Sequence, residues 1–220
     1  MTPPRRDASS TDLVILVHGL WMHGVVCTAL AYRLRRGGHR VALFSYRSLR
    51  WAMNDIAVRL HAYTVARQPA RVHFAGHSLG GLVILSMLSR FHDLPAGRVV
   101  LLGSPCTECE AARQLGRRRG GGVLLGRALH GWSSSEGEAV ARVVPVGIVA
   151  GTRRIGMGSL LATLHGPNDG VVRVEETRLP GIADHLVMPV SHSGLLLSRA
   201  VADQVLCFLR EGRFAHGASA

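Results

Sequence analysis

Ser78 lies in the run Gly76-His77-Ser78-Leu79-Gly80, where a short apolar segment meets a longer one. The spacing G-x-S-x-G predicts a nucleophile when a strand precedes the serine and a helix follows it, and the two segments fit those roles. The reason is steric. A serine on a very sharp strand-to-helix turn holds its hydroxyl clear of the sheet. Gly76 and Gly80 leave room for strand and helix to approach, and Gly81 extends the small-residue surface. The helix N-terminus then aims free N–H groups, and the positive end of its dipole, at any anion formed there. The competing reading is a polar residue in a tight turn.

A serine hydroxyl needs a base to take its proton, and the base needs a carboxylate to orient it. In an open α/β sheet such residues gather beyond the carboxyl ends of the strands. His192 falls just past the last expected strand and before the closing helix. His185 opens that strand and belongs to the opposite edge, while His165 lies in an irregular stretch and His216 in the C-terminal tail. For the carboxylate, Asp169 stands in the turn Gly166-Pro167-Asn168-Asp169-Gly170 between the fifth and sixth strands. Asp184 faces the opposite edge, Glu175 and Glu176 lie further from the turn, Asp203 falls inside the closing helix, and Asp55 and Asp93 precede the relevant loops. Each choice has a structural alternative: His192 as a hydrogen-bonded histidine, Asp169 as an Asx-turn residue. The chain order serine, acid, histidine favours the catalytic reading.

Acyl chemistry also needs donors for a tetrahedral oxyanion. The backbone N–H of Leu79, next to the serine, is one. The other is expected from Leu20, in the loop His18-Gly19-Leu20 after the first strand. There Gly19 shapes the backbone and His18 braces it by hydrogen bonding rather than moving protons.

These residues must be positioned by the elements around them. Short runs rich in Val, Ile and Leu read as buried parallel strands: Leu13 to Val17, Val41 to Ser45, Val72 to Gly76, Val99 to Gly103, Pro145 to Gly151 and Leu186 to Val190. Helices are expected over Met22 to Arg36, Leu49 to Arg67, Leu79 to Arg90 and Ser193 to Arg210. Alternating strands and helices imply right-handed βαβ units, and hence a three-layer α/β/α sandwich around a parallel sheet of about six strands. The expected organisation is a tail over 1–12, one domain over 13–210 and a tail over 211–220. Residues 113–138, where glycine, arginine and serine interrupt the periodicity, form an excursion over one end of the sheet.

Bulk properties bound the function. The 220 residues are 47% hydrophobic and 18% charged, which suits one well-packed domain. The net charge of +12 raises the question of nucleic acid, but all 26 basic residues are arginine, they are scattered, and aromatic residues make up only 5%. No stacking platform results, so nucleic-acid binding is not expected, whereas weak attraction to anionic surfaces is. Cys106 and Cys109 form a CxxC without the second pair a zinc site needs, so no metal is expected, and thiol-redox chemistry is the alternative for that pair. No secretory leader and no apolar run of membrane-spanning length is recognised, which makes the cytoplasm the expected compartment.

Taken together, Leu16 to Gly24, Gly76 to Gly81, Asn168 to Val172 and Ser191 to Leu196 resemble an α/β-hydrolase of the lipase/esterase type, particularly compact bacterial lipases without a cap domain. The resemblance implies Ser78 as nucleophile, Asp169 as acid, His192 as base, Leu20 and Leu79 as oxyanion donors, no cofactor, and a small-molecule or lipid ester as substrate. The two initial antiparallel strands of that family have no room before Leu13, so the expected strand order is 2-1-3-4-5-6. Where related lipases often carry a Thr/Ser-Pro-His-x-Gly segment, this chain reads Gly103-Ser104-Pro105-Cys106-Thr107. Ester hydrolysis is thus expected. Acyl transfer or thioester hydrolysis by the same residues is the alternative, and a catalytically silent binding or membrane-surface module is the alternative of another class. If the excursion is a small lid, Leu124, Leu125, Leu129 and Trp132 line the acyl site and Arg117 to Arg119 face anionic headgroups; otherwise it is an ordinary surface loop.

Overall fold

In a computed structural model, the described residues are 12–117, 120–121, 126–129, 131–155 and 163–216. Six strands form one parallel sheet: β1 (Leu13–Val17), β2 (Arg40–Phe44), β3 (Val72–His77), β4 (Ala96–Leu102), β5 (Val146–Gly151) and β6 (Asp184–Met188). Their spatial order is β2-β1-β3-β4-β5-β6. β1 is buried along its whole length, as a central parallel strand covered on both faces must be. Its alternate residues divide between two cores. Leu13, Ile15 and Val17 face α2 (Met53–Val65), α3 (Leu79–Arg90) and α5 (Ser134–Ala141). Val14 and Leu16 face α1 (Thr28–Arg36), α6 (Gly194–Leu197) and α7 (Arg199–Glu211). The short α4 (Glu110–Gly116) follows β4 at the carboxyl edge of the sheet. The architecture is the expected three-layer sandwich.

Several boundaries differ from expectation, each for a local reason. The first helical segment begins as a 3₁₀ turn, Gly24–Cys27, and becomes α-helical only at Thr28, whose hydroxyl donates to the Val25 carbonyl at 2.6 Å. The second helix starts at Met53 rather than Leu49, because Arg50 and Trp51 both donate to the Arg47 carbonyl and close a separate turn. β6 lies two residues earlier than its apolar run suggests; Pro189 has no N–H to extend the ladder. The closing helix is broken in two at Ser198. That residue is extended, and its side chain accepts the Val201 N–H at 3.4 Å, capping α7. No helix of the described residues is long and apolar enough to cross a membrane.

Phe208 of α7 shows how closely the second core is packed. It is fully buried, its ring lies 4.8 Å from that of Phe214, and a Cβ on Gly147 of β5 would fall 2.4 Å from its edge. Truncating it leaves a cavity bounded by strand backbone that cannot collapse. Phe208→Ala is expected to cost about 3–5 kcal/mol, read as the shift in urea-unfolding free energy. A loss below about 1 kcal/mol contradicts this packing.

The core buries His18, His39, His73 and His77, while His185 is half-buried. His18, His39, His73, His77 and His185 are all held below the ordinary 6.5 principally by burial, and His77 falls to about 3. Each takes up a proton more readily unfolded than folded. Their contribution is therefore complete above about pH 6.5 and is lost as pH falls, for His77 down to about 3. His77 alone implies a loss of roughly 1.4 kcal/mol per pH unit below that threshold. Unfolding free energy measured in urea should drop between pH 7 and pH 5; a flat profile contradicts the burial.

Candidate active site

The carboxyl ends of β1, β3, β4 and β5 come together around Ser78. β3 feeds directly into it, and the residue takes φ 53° and ψ −124°, outside the range most side chains tolerate. Such a conformation costs about 1–3 kcal/mol and persists only where the surroundings enforce it. Here the Ser78 N–H donates to the Leu102 carbonyl of β4 at 2.9 Å, and its own carbonyl accepts the Gly81 N–H at 3.0 Å. The helix that follows presses against β1: a Cβ on Gly80 would lie 2.3 Å from the Val17 carbonyl oxygen. Gly76 meets the same helix from β3, with Gly81 2.5 Å from where its Cβ would be. These close approaches explain why small residues flank the serine on both sides.

Asp169 and His192 meet 23 residues apart in sequence, with His192 Nδ1 2.7 Å from Asp169 Oδ2. Asp169 is 1% exposed and His192 8%. The other carboxylate oxygen accepts the N–H groups of Val171 and Val172 at 2.9 and 2.8 Å. The turn role and the histidine-orienting role are therefore both present, one on each oxygen. A second link joins the same two residues, as the His192 N–H donates to the Asp169 carbonyl at 2.9 Å. With Nδ1 bound to the carboxylate, Nε2 is left as the basic nitrogen.

Two supporting residues carried no local signal. A Cβ on Gly103, which has φ 59°, would lie 3.0 Å from Asp169 Oδ2 and 3.2 Å from His192 Nδ1. His77 reaches His192 from the serine side: its Nε2–H donates to the His192 carbonyl at 2.9 Å, and the two rings lie 4.5 Å apart. Burial, then the neighbouring His192, keeps His77 neutral.

The other titratable candidates are engaged elsewhere. Asp184 binds the Phe214 N–H and His216 at the far edge, and His185 pairs with the Thr177 hydroxyl at 2.9 Å. Glu176 is buried and accepts the Glu110 N–H at the start of α4, while Glu175 pairs with Arg173. Asp93 holds His61, Asp203 lies near Arg199, and Asp55 opens α2. His165 is exposed.

The loop after β1 is braced from β2's end. His18 is buried, with Nδ1–H donating to the Gly19 carbonyl at 2.8 Å and Nε2 accepting the Tyr46 N–H at 3.1 Å. The Tyr46 ring stacks on it at 4.3 Å, and the Tyr46 hydroxyl donates to the His18 carbonyl at 2.8 Å. Both ring nitrogens are thereby used, and burial lowers the pKa of His18, which matches a neutral brace. Gly19 packs against the serine; its Cβ position lies 3.1 Å from Ser78 Cβ.

A cavity of about 410 Å³ opens at this point, with Leu20, Ser78, Leu79 and His192 on its wall. Pro105, Ala111, Ala112, Leu115, Leu129 and Val172 make the rest predominantly apolar, and its size suits a small ligand. Leu129 lies where the lid reading puts it. Trp132 does not line the cavity; its indole N–H donates to the Cys106 carbonyl at 3.2 Å. Leu124, Leu125, Arg118 and Arg119 lie outside the described residues. Both thiols of the CxxC are free; Cys106 is buried and Cys109 half-buried on the cavity wall, and desolvation pushes Cys106 up to about 12 and Cys109 to about 11. Reactive thiols need the opposite shift, which counts against the redox reading of this pair.

No protein-family model matches the chain, and no curated protein matches it in sequence. Solved structures do. The lipase BlEst2 of Bacillus licheniformis in its mature form superposes with a TM-score of 0.71 at 17% identity, covering 96% of both chains. Its propeptide form gives 0.75 at 18% identity; the present chain is 96% covered and spans about half, 53%, of that longer one. A monoacylglycerol lipase of Paleococcus ferrophilus gives 0.60 at 15% identity, covering 91% and 94% of the two chains. At such identities the likeness speaks to architecture, and with the six-stranded parallel sheet and its flanking helices it establishes that this chain has the compact α/β-hydrolase fold.

Proposed function

We propose that the protein hydrolyses carboxylic esters through a serine acyl-enzyme. The observation that carries this reading is one cavity wall holding both the strained Ser78 and a His192 whose Nδ1 is bound by Asp169 at 2.7 Å. In the proposed sequence His192 Nε2 takes the Ser78 proton as Oγ attacks the ester carbonyl. The N–H groups of Leu79 and Leu20 hold the resulting oxyanion. Collapse breaks the bond to the alcohol oxygen, which leaves with the proton from His192. Water, activated by the same imidazole, then attacks the acyl carbon and releases the carboxylic acid. Asp169 keeps the imidazole in the right tautomer and stabilises its charged form. The apolar wall suits an acyl chain, and the lipase likeness of the fold is consistent with that substrate class.

Ser78→Ala should abolish turnover of p-nitrophenyl esters and covalent labelling by a fluorophosphonate. Asp169→Asn should fold yet lose kcat by roughly 10³- to 10⁴-fold, because the tautomer is no longer enforced. Ester turnover that survives Ser78→Ala refutes the mechanism. The cavity assignment is tested separately: Leu115→Trp fills part of its volume, and the ratio of laurate to butyrate ester turnover should fall about tenfold. An unchanged ratio places the acyl chain elsewhere.

A further inference from the structure

Beside the cavity, on the β2 side, lies a second, more open recess of about 420 Å³. Trp21 and Met22 line both spaces and separate them. The chain reaches them directly from Gly19, which packs on Ser78, so Met22 is within roughly 10 Å of that contact along the backbone. The far wall is the turn after β2, with Arg47, Ser48 and Arg50. That turn is fixed in place: the Arg50 N–H donates to the Arg47 carbonyl at 3.0 Å, and the Ser48 hydroxyl accepts the Trp21 N–H at 3.2 Å. Trp21 itself is held at φ 58° and is 48% exposed.

The charge of the recess is one-sided. Arg47, Arg50 and His23 line it, and among the described residues no carboxylate does. Among the described residues neither arginine makes an ion pair, although several other arginines of the chain do, including Arg90, Arg113 and Arg173. Two guanidinium groups from one turn, with no carboxylate partner among the described residues, have the charge and geometry to suit a doubly charged oxyanion. The adjoining cavity has the opposite character: among the described residues its wall is predominantly apolar and includes no arginine.

We propose that this recess is the leaving-group subsite, and that the substrate is an ester whose alcohol half carries a phosphate. The inference rests on the ester-hydrolase reading above. The acyl chain occupies the apolar cavity, the carbonyl lies at Ser78, and the alcohol passes over Trp21 and Met22 to place its phosphate between Arg47 and Arg50. A phosphate monoester carries about −1.5 to −2 charges at pH 7, which the two arginines balance. Hydrolysis breaks only the carboxylic ester bond: water supplies OH to the acyl group and H to the alcohol oxygen, and the phosphate ester stays intact.

The test compares monodecanoylglycerol with its phosphate monoester, both below their critical micelle concentrations. Wild-type protein should favour the phosphate ester in kcat/KM. In Arg47→Ala/Arg50→Ala the ratio of phosphate to neutral ester should fall about tenfold, and Arg47→Lys/Arg50→Lys should recover part of it. A ratio that does not change, or a wild-type preference for the neutral ester, overturns the proposal. A binding arm uses Ser78→Ala protein, with and without the arginine substitutions, and decyl phosphate, decanol and inorganic phosphate as probes. Decyl phosphate alone should lose about tenfold in affinity when the arginines are removed. Equal binding of inorganic phosphate makes the recess a free-anion site and overturns the subsite. Arginine-dependent binding of decyl phosphate without any ester turnover leaves the recess standing and removes the hydrolase reading.

Discussion

The turn at Ser78 is the constraint to which the rest of this molecule is fitted. A residue with a side chain is held at positive φ between the central strand β3 and α3, which is buried from Leu79 to Leu88. It stays there because β4 lends a carbonyl to its N–H and α3 is pressed to within touching distance of the β1 backbone. Neither condition is local. The first requires β4 beside β3 in register, and the second requires a helix without side chains at Gly80, against β1, and at Gly81, against Gly76 of β3 and Ser104 after β4. The sheet order and the small residues of α3 are thus two parts of one steric arrangement.

Around that point the site is assembled from pieces that each carry their own fixings. The loop after β1 is clamped by a histidine whose two nitrogens are both consumed, and a tyrosine ring lies flat on top of it. His192 is gripped from two sides, by Asp169 at ring and backbone and by the buried His77 at its carbonyl. Little of this geometry depends on solvent-exposed contacts, so these groups are held in place before anything binds. The preorganisation has a thermodynamic counterpart, since neutral histidines in an apolar interior oppose folding as acid is added.

Much of the fold was legible from pattern, and the exceptions are instructive. The central strands announce themselves as uninterrupted Val/Ile/Leu runs, and α3 spans Leu79–Arg90 as its apolar length suggests. The errors fall where a single polar contact outweighs the pattern: Ser198 capping a new helix inside an apparently continuous one, Arg47 closing a turn before α2, Pro189 ending a ladder. The proximity of Asp169 to His192 follows from their order along the chain and their places at strand ends. His77 and Gly103 could not be read in this way. The first bonds to a residue 115 positions away, and the second matters only because Asp169 and His192 pack over it. Trp132 misled for the opposite reason, its apolar ring suggesting a cavity wall while its N–H draws it to the Cys106 carbonyl.

The division of labour on Asp169 has a consequence for how this scaffold can change. One carboxylate oxygen is tied to the two residues immediately downstream, and the other to the histidine. Nothing in that set of bonds reaches back into the connection between Thr152 and Pro167. The acid carries its frame of reference in its own turn and in the loop it faces. Changes in that connection that spare Gly166 and Pro167, to which Asn168 and Val174 bond, can therefore alter the rim near Ile155 while leaving the carboxylate where it is. A chain built this way can exchange one entrance for another without rebuilding the Asp169–His192 pair behind it.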